Sequence, residues 1–205
     1  MTTNTPPTTS SRRQRLKEAT RSTHDALDRR IMAFNPFASR EHYARFVLTQ
    51  YLLHRDVQAL YDDPVLNHHL PLLAQRSRLA LAEQDLRDLG VALPEPLEAP
   101  VFPAGTHTDT ATALGWLYTV EGSNLGAAFL LKRVASLGLS GEHGARHLAP
   151  HPDGRAAHWR GFVEQFDELV LPADEEARAA AGADAAFARA LAHVERHCAV
   201  VAASA

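Results

Sequence analysis

Residues Gly115–Arg133 read GWLYTVEGSNLGAAFLLKR, and the fold turns on how this stretch is reconciled with helix energetics. With Leu114 ahead of it, the residues Trp116, Leu117, Val120, Leu125, Phe129 and Leu130 are apolar nearly all round a helix, as expected of a helix buried in a core. Gly115, Gly122 and Gly126 interrupt that pattern, and each interior glycine costs about 1 kcal/mol relative to alanine. At about 3.6 residues per turn the glycines fall on one narrow face, with Ala111 before them and Arg133 after them on the same line. A strip without side chains on a buried helix has two readings. Small residues let a second helix approach closely, or they leave room for a planar cofactor, which then needs a ligand from elsewhere.

Working outward, residues 12–31 (RRQRLKEATRSTHDALDRRI) predict one amphipathic helix, with Leu16, Ala19, Thr23, Ala26, Leu27 and Ile31 on one side. His24 lies at the border of that stripe, Lys17 two turns before it and Asp28 one turn after it. Asn35-Pro36 breaks the pattern, Ser39 caps, and residues 41–61 form the next helix. Residues 66–73 are short and punctuated by proline, and residues 75–89 form a helix stopped by Gly90. Four prolines make residues 91–108 an ordered connection leading to a cap at Thr108 or Asp109. After the central helix come a glycine- and histidine-rich connection with a short turn near residues 145–148, then helices over residues 156–169 and 174–200. No stretch alternates as a strand does, so an all-α single domain over residues 12–205 is expected, behind a disordered Thr/Pro/Ser-rich tail over residues 1–11.

Composition excludes several classes of function. The 21 basic and 24 acidic residues give a formal charge of −3 with no block of one sign, which argues against nucleic acid and anionic membranes as partners. The single cysteine, Cys198, excludes an intrachain disulfide or a multi-cysteine metal site and fits a reducing cytoplasm. The tail lacks the apolar core of a signal peptide, and no run is long enough to span a bilayer. Of the 12 histidines, His143 with His147 and His193 with His197 stand at helical spacing. Both pairs lack carboxylates to complete a metal site and are expected to be surface features.

A neutral imidazole such as that of His24 can ligate iron through one nitrogen while the other donates to a carboxylate, for which Asp28 is placed. RLKEATRSTHDALD together with LYTVEGSNLGAAFLLKR resembles the two helices that sandwich haem in the bacterial haem oxygenases. The similarity extends to PFASREHYARFVLTQYLLHRDVQALY and GARHLA, in the family's order and over most of the chain. It implies that His24 is the proximal iron ligand and that Gly122, Ser123 and Gly126 belong to a glycine-bent distal helix, leaving the distal side without a histidine. Haem would be both cofactor and substrate, opened at a meso carbon to biliverdin, carbon monoxide and ferrous iron. Backbone would lie close over bound oxygen, and ordered water would supply protons. Lys17, Arg133 and Lys132 would meet the propionates, and Tyr118, Phe187 and Arg189 would border the pocket. Glu121 is expected to be either a paired structural carboxylate, the favoured reading, or part of the distal water network, and Ser123 to bond either back to its helix or to water.

No nicotinamide or flavin fingerprint is present, so electrons are expected from a separate ferredoxin or flavoprotein reductase. Some relatives rotate haem with a lysine where this chain has Met32, and here Lys17 is available instead, which leans toward α-biliverdin, suited to a phytochrome acceptor or to iron release. A di-iron carboxylate enzyme would need Glu-x-x-His pairs, which are absent. A thiamin-degrading enzyme of the same architecture would need a better placed thiol than Cys198. A haem carrier or sensor of the same fold is the alternative that turnover with a reductant separates.

Overall fold

The computed structural model describes residues 10–95 and 97–198. Residues 1–9, most of the expected tail, and residues 199–205 lie outside the described part. Eight α-helices follow in order among the described residues: α1 (Arg12–Ala19), α2 (Arg21–Phe34), α3 (Arg40–Asp62), α4 (Pro64–His69), α5 (Leu79–Asp88), α6 (Thr110–Val134), α7 (Arg155–Glu168) and α8 (Ala173–His197). Short 3₁₀ turns occupy Leu73–Arg76, Ala135–Leu137 and Arg146–Leu148, and the described residues contain no strand.

The expected first helix is two. Thr20 closes α1 with φ −97° and ψ 7°, its hydroxyl donating to the Leu16 carbonyl at 2.8 Å. A threonine that satisfies the carbonyl one turn back offers the chain a place to bend. The break lets α1 lie against α7 and α8 while α2 packs on α8. Arg12 anchors α1: it is buried, donates to the carbonyls of Phe166 and Leu169, and pairs with Glu176 at 3.0 Å. The other boundaries follow their caps, with Ser39 accepting from the His42 N–H and Asp109 from the Thr112 N–H.

Helix α6 runs through the core and packs most extensively on α8. At their crossing Gly115 faces Gly182: a Cβ on Gly115 would stand 2.0 Å from the Ala179 carbonyl oxygen, and one on Gly182 2.4 Å from that of Thr112. The backbones touch, so close packing is the role of Gly115. Thr119 fastens the same crossing by donating to the Ala183 carbonyl at 3.1 Å. On other sides of α6 the buried Leu114, Trp116, Leu117 and Val120 join Leu60, Phe162 and Phe166 in one core cluster, each contributing about 1.5–3 kcal/mol by leaving water.

Candidate active site

The glycine strip does not keep one neighbour along its length. A Cβ on Gly122 would make ordinary contact with the Trp159 ring at 3.5 Å, and one on Gly126 would meet nothing within 4 Å. Past the α8 crossing, the bare face therefore opens onto a cleft. It measures about 980 Å³ and has far more apolar than polar surface, a size suited to a large flat ligand. One wall is α1 and α2, with Lys17, Thr20, His24, Leu27, Asp28 and Ile31; the facing wall is α6, with Tyr118, Gly122, Ser123, Gly126, Phe129 and Leu130. Phe46, Thr49, Gln50, Leu53 and His54 of α3, Phe187, Ala190 and Val194 of α8, and His147 complete it.

His24 is accessible in the cleft, its side chain 53% exposed. Its Nδ1 lies 3.4 Å from an Asp28 carboxylate oxygen and 3.9 Å from one of Asp25, and the Phe187 ring meets it edge-on at 5.4 Å. Two walls of contact thus hold the imidazole while its other nitrogen stays available. The cleft edge near α1 is cationic, carrying Arg13, Lys17 and Arg21. Tyr118 donates to the Arg13 carbonyl at 3.2 Å and stacks near Trp159 and Phe166. Ser123 donates to the Val120 carbonyl at 2.7 Å, the back-bonded of its two expected states.

Three expected contacts fall elsewhere. Arg189 is two residues from Phe187, which on a helix means the opposite side. It donates to Asp56 at 2.7 Å and lines a separate cavity of about 190 Å³. Arg133 continues the line of Gly126 but lies beyond the cleft, its guanidinium 5.0 Å from the Phe37 ring centre and 5.8 Å from that of Phe129. Lys132, a further residue round the helix, is exposed outside the cleft.

The histidine pairs also need correction. His147 is buried and lies 2.8 Å from Asp85, and His193 is buried and lies 2.8 Å from Asp56. Only His143, beside Asp88, is half exposed, and His197 lies over the second cavity. Besides His24, His54 and His147 also line the cleft. His54 was legible as a polar residue on the buried stripe of α3, between Tyr51 and Val57. Glu121, next to Gly122, is buried and accepts from Tyr61 and Arg76, each at 2.8 Å. Arg155 reaches the α6 backbone at the Asn124 carbonyl, 3.1 Å away, and also holds the Leu148 carbonyl.

Burial, then the charges of His147 and Arg78, hold the His54 pKa down to about 3. The unfolded chain takes a proton near 6.5 that the folded protein refuses until about 3, so stability rises with pH across that interval. Between pH 7.5 and 5 this group accounts for a loss of about 2 kcal/mol. Urea denaturation of wild type and His54→Gln at both pH values checks this: the wild type is expected to lose about 2 kcal/mol more than the variant, and equal losses would refute it.

The sequence matches the haem oxygenase family model over residues 10–196. Haem oxygenase PigA of Pseudomonas aeruginosa is 45% identical over 178 residues, covering 87% of this chain and 88% of the relative. A haem oxygenase of Xanthomonas campestris pv. campestris is 34% identical over 113 residues, 55% of this chain and 64% of the relative. Among solved structures, the NO- and CO-bound haem oxygenase of Neisseria meningitidis superposes with a TM-score of 0.86 at 42% identity, covering 95% of each chain. Haem oxygenase 2 of Chlamydomonas reinhardtii shares the fold, with a TM-score of 0.74 at 17% identity over 92% of this chain and 98% of that one. A family model matched over nearly the whole chain, a relative matched over 88% of its length, and a cleft walled by a histidine-bearing helix and a bare helix face lead to one conclusion: this chain belongs to the haem oxygenase family.

Proposed function

We propose that the chain cleaves haem to biliverdin, carbon monoxide and ferrous iron, with haem lying in the cleft between α2 and α6. The observation that carries this reading is His24, accessible and backed by Asp28, in the wall facing the open strip at Gly126. The residues present suit a flat dianionic ring with a metal at its centre: an imidazole donor, apolar walls, a strip without side chains and cations at one edge. Haem, the substrate, supplies the iron that activates oxygen.

Each residue then has a task. His24 offers Nε2 to the iron, while Asp28 holds Nδ1–H and fixes the tautomer. Gly122 and Gly126 let the ring lie close to the α6 backbone, and Phe187 keeps the imidazole from rotating. Lys17 at the cleft edge meets a propionate through a charge-assisted bond. Leu27, Ile31, Phe129 and Leu130 exclude bulk water and confine the reaction to one edge of the ring. With Met32 two turns after His24 on α2, where some relatives carry a lysine, and Lys17 as the edge cation, the ring orientation favours the α isomer. Electrons come from a ferredoxin or flavoprotein reductase, and α-biliverdin suits a phytochrome acceptor. No helix among the described residues is long and apolar enough to cross a membrane, which fits work in the cytoplasm.

An absorbance titration with ferric haem tests this reading, on wild type and His24→Ala, followed by a ferredoxin system under air with catalase. Stoichiometric binding by wild type is expected, with affinity lowered about 10-fold to 100-fold or more in His24→Ala. The Soret band should then give way to a bilin, mainly α by chromatography. A stable complex that never yields bilin would instead identify a carrier or sensor, and mainly β or δ product would reject the proposed orientation.

A further inference from the structure

The half of α6 that faces the cleft has little packing of its own. Of residues 122–129 only Ala127 is buried, and Leu125 and Phe129 are 44% and 52% exposed. Burial thus fixes α6 as far as Glu121 and leaves the stretch beyond it free to shift. Asn124 in that stretch is held from outside: one terminal nitrogen of Arg155 donates to its carbonyl at 3.1 Å and the other to the Leu148 carbonyl. Asn124 and Leu148 both line the cleft, and Arg155 does not. The turn carrying Leu148 is itself fixed. Arg78 donates to the His147 and Ala149 carbonyls at 2.8 and 2.9 Å, and the buried Asp85 accepts from the Arg146 and His147 N–H groups, each at 2.9 Å. Arg155 has no carboxylate partner among the described residues. It opens α7, where the helix macrodipole disfavours a cation. Neither an ion pair nor helix formation accounts for it, whereas a planar fork that reaches two carbonyls at once does.

We propose that Arg155 is the positioning residue of this wall: it ties α6 at Asn124 to the fixed turn at Leu148 and so sets how far the bare strip stands from a ligand in the cleft. Within an α-helix the Asn124 carbonyl also accepts from the Ala128 N–H. A second donor draws that carbonyl off the helix axis, the kind of intrusion into the ladder that bends a helix. Gly122 and Gly126, two residues to either side, have no Cβ to oppose the bend. The use of the tie rests on the cleft being the haem site, but the tie itself does not.

The test is backbone amide hydrogen exchange by NMR on the free protein, for wild type, Arg155→Gln and Arg155→Lys. Arg155→Gln is expected to speed exchange over residues 125–129 by about tenfold or more and to leave residues 115–121 as they are. Arg155→Lys keeps the charge but loses the fork, so it should resemble Arg155→Gln. Unchanged exchange, or equal acceleration along the whole of α6, overturns the tie. Should the variants not fold, wild type alone decides: the Nη protons of Arg155 must give separate, slowly exchanging signals, and a freely rotating guanidinium overturns the tie. In haem turnover, Arg155→Gln should bind ferric haem within about threefold of wild type, because His24 and Lys17 stand on the opposite wall. Bilin should form about tenfold more slowly or worse, with a broader mixture of isomers. Methylguanidinium added to Arg155→Ala should restore much of the rate, which a loss of stability alone would not allow. An unchanged rate and isomer pattern despite faster exchange would overturn the positioning role. Failure of wild type to bind haem would count against the proposed function and leave the exchange result standing.

Discussion

Replacing Gly115 with alanine is expected to lower folding stability by about 3 kcal/mol or more, seen as a lower urea midpoint with an unchanged slope. The added Cβ would stand 2.0 Å from the Ala179 carbonyl oxygen and 2.6 Å from the Ala183 nitrogen. Neither neighbour is a side chain that can turn aside, so α6 and α8 must part. Separating them weakens the contacts that bury Leu114 and Ala183 and strains the Thr119 bond to the Ala183 carbonyl. Gly126→Ala, on the same face of the same helix, should be neutral or stabilising by up to about 1 kcal/mol, since helix propensity improves and the new methyl meets nothing within 4 Å. Gly126→Phe should fold as well as wild type and lose haem affinity by about 100-fold, because the ring occupies the cleft. Equal destabilisation at Gly115 and Gly126 would show that the two positions do not differ in their surroundings as described.

That contrast shows what could be read from sequence. The glycine periodicity exposed a bare helix face, but could not say what covers it, because the covering element is α8, distant in the chain. The strip divides along its length: helix packing at Gly115, and at Gly126 an open cleft with room for a planar ligand. All-α architecture was legible because the apolar period is helical throughout and the caps at Ser39 and Asp109 are ordinary ones. The break at Thr20 was not, since it depends on a local hydroxyl bond and on where α1 finds its anchors in α7 and α8.

Site residues were legible when they sat on a stripe and illegible when a tertiary partner decided their direction. Lys17 on α1 and His24 and Asp28 on α2 sat on the one stripe the sequence showed, and all three line the cleft despite the break at Thr20. Arg133 was drawn in by its place on the glycine face and Arg189 by the family resemblance, whereas two aromatic rings hold the first elsewhere and Asp56 the second. His147 read as a surface residue because its loop is rich in glycine. Asp85, the carboxylate that buries it, lies on α5 and gives no sign in the sequence of serving a residue so far along the chain.

Arg76→Ala is expected to destabilise the protein by about 3–5 kcal/mol at pH 7.5, because it leaves the Glu121 carboxylate buried without its counter-ion. Glu121 is 2% exposed and Arg76 11% at the side chain, so solvent cannot take over. Arg76 also donates to the His158 carbonyl at 2.8 Å and lies over the Phe162 ring, which ties α7 to the base of the cleft. The pH dependence separates these contributions. Burial raises the Glu121 pKa, and Arg76 and Tyr61 pull it back; without Arg76 the rise is less opposed. The folded variant then holds a proton that the unfolded chain releases, so its stability falls as pH rises through the ordinary carboxylate range and beyond. Its deficit against wild type should therefore be largest near pH 8 and shrink toward pH 5. A double variant, Arg76→Met with Glu121→Leu, removes both charges and should recover most of the loss. A deficit that stays constant with pH and persists in the double variant would assign the effect to the His158 and Phe162 contacts, and Glu121 would no longer be the reason that Arg76 lies under the cleft-lining stretch of α6.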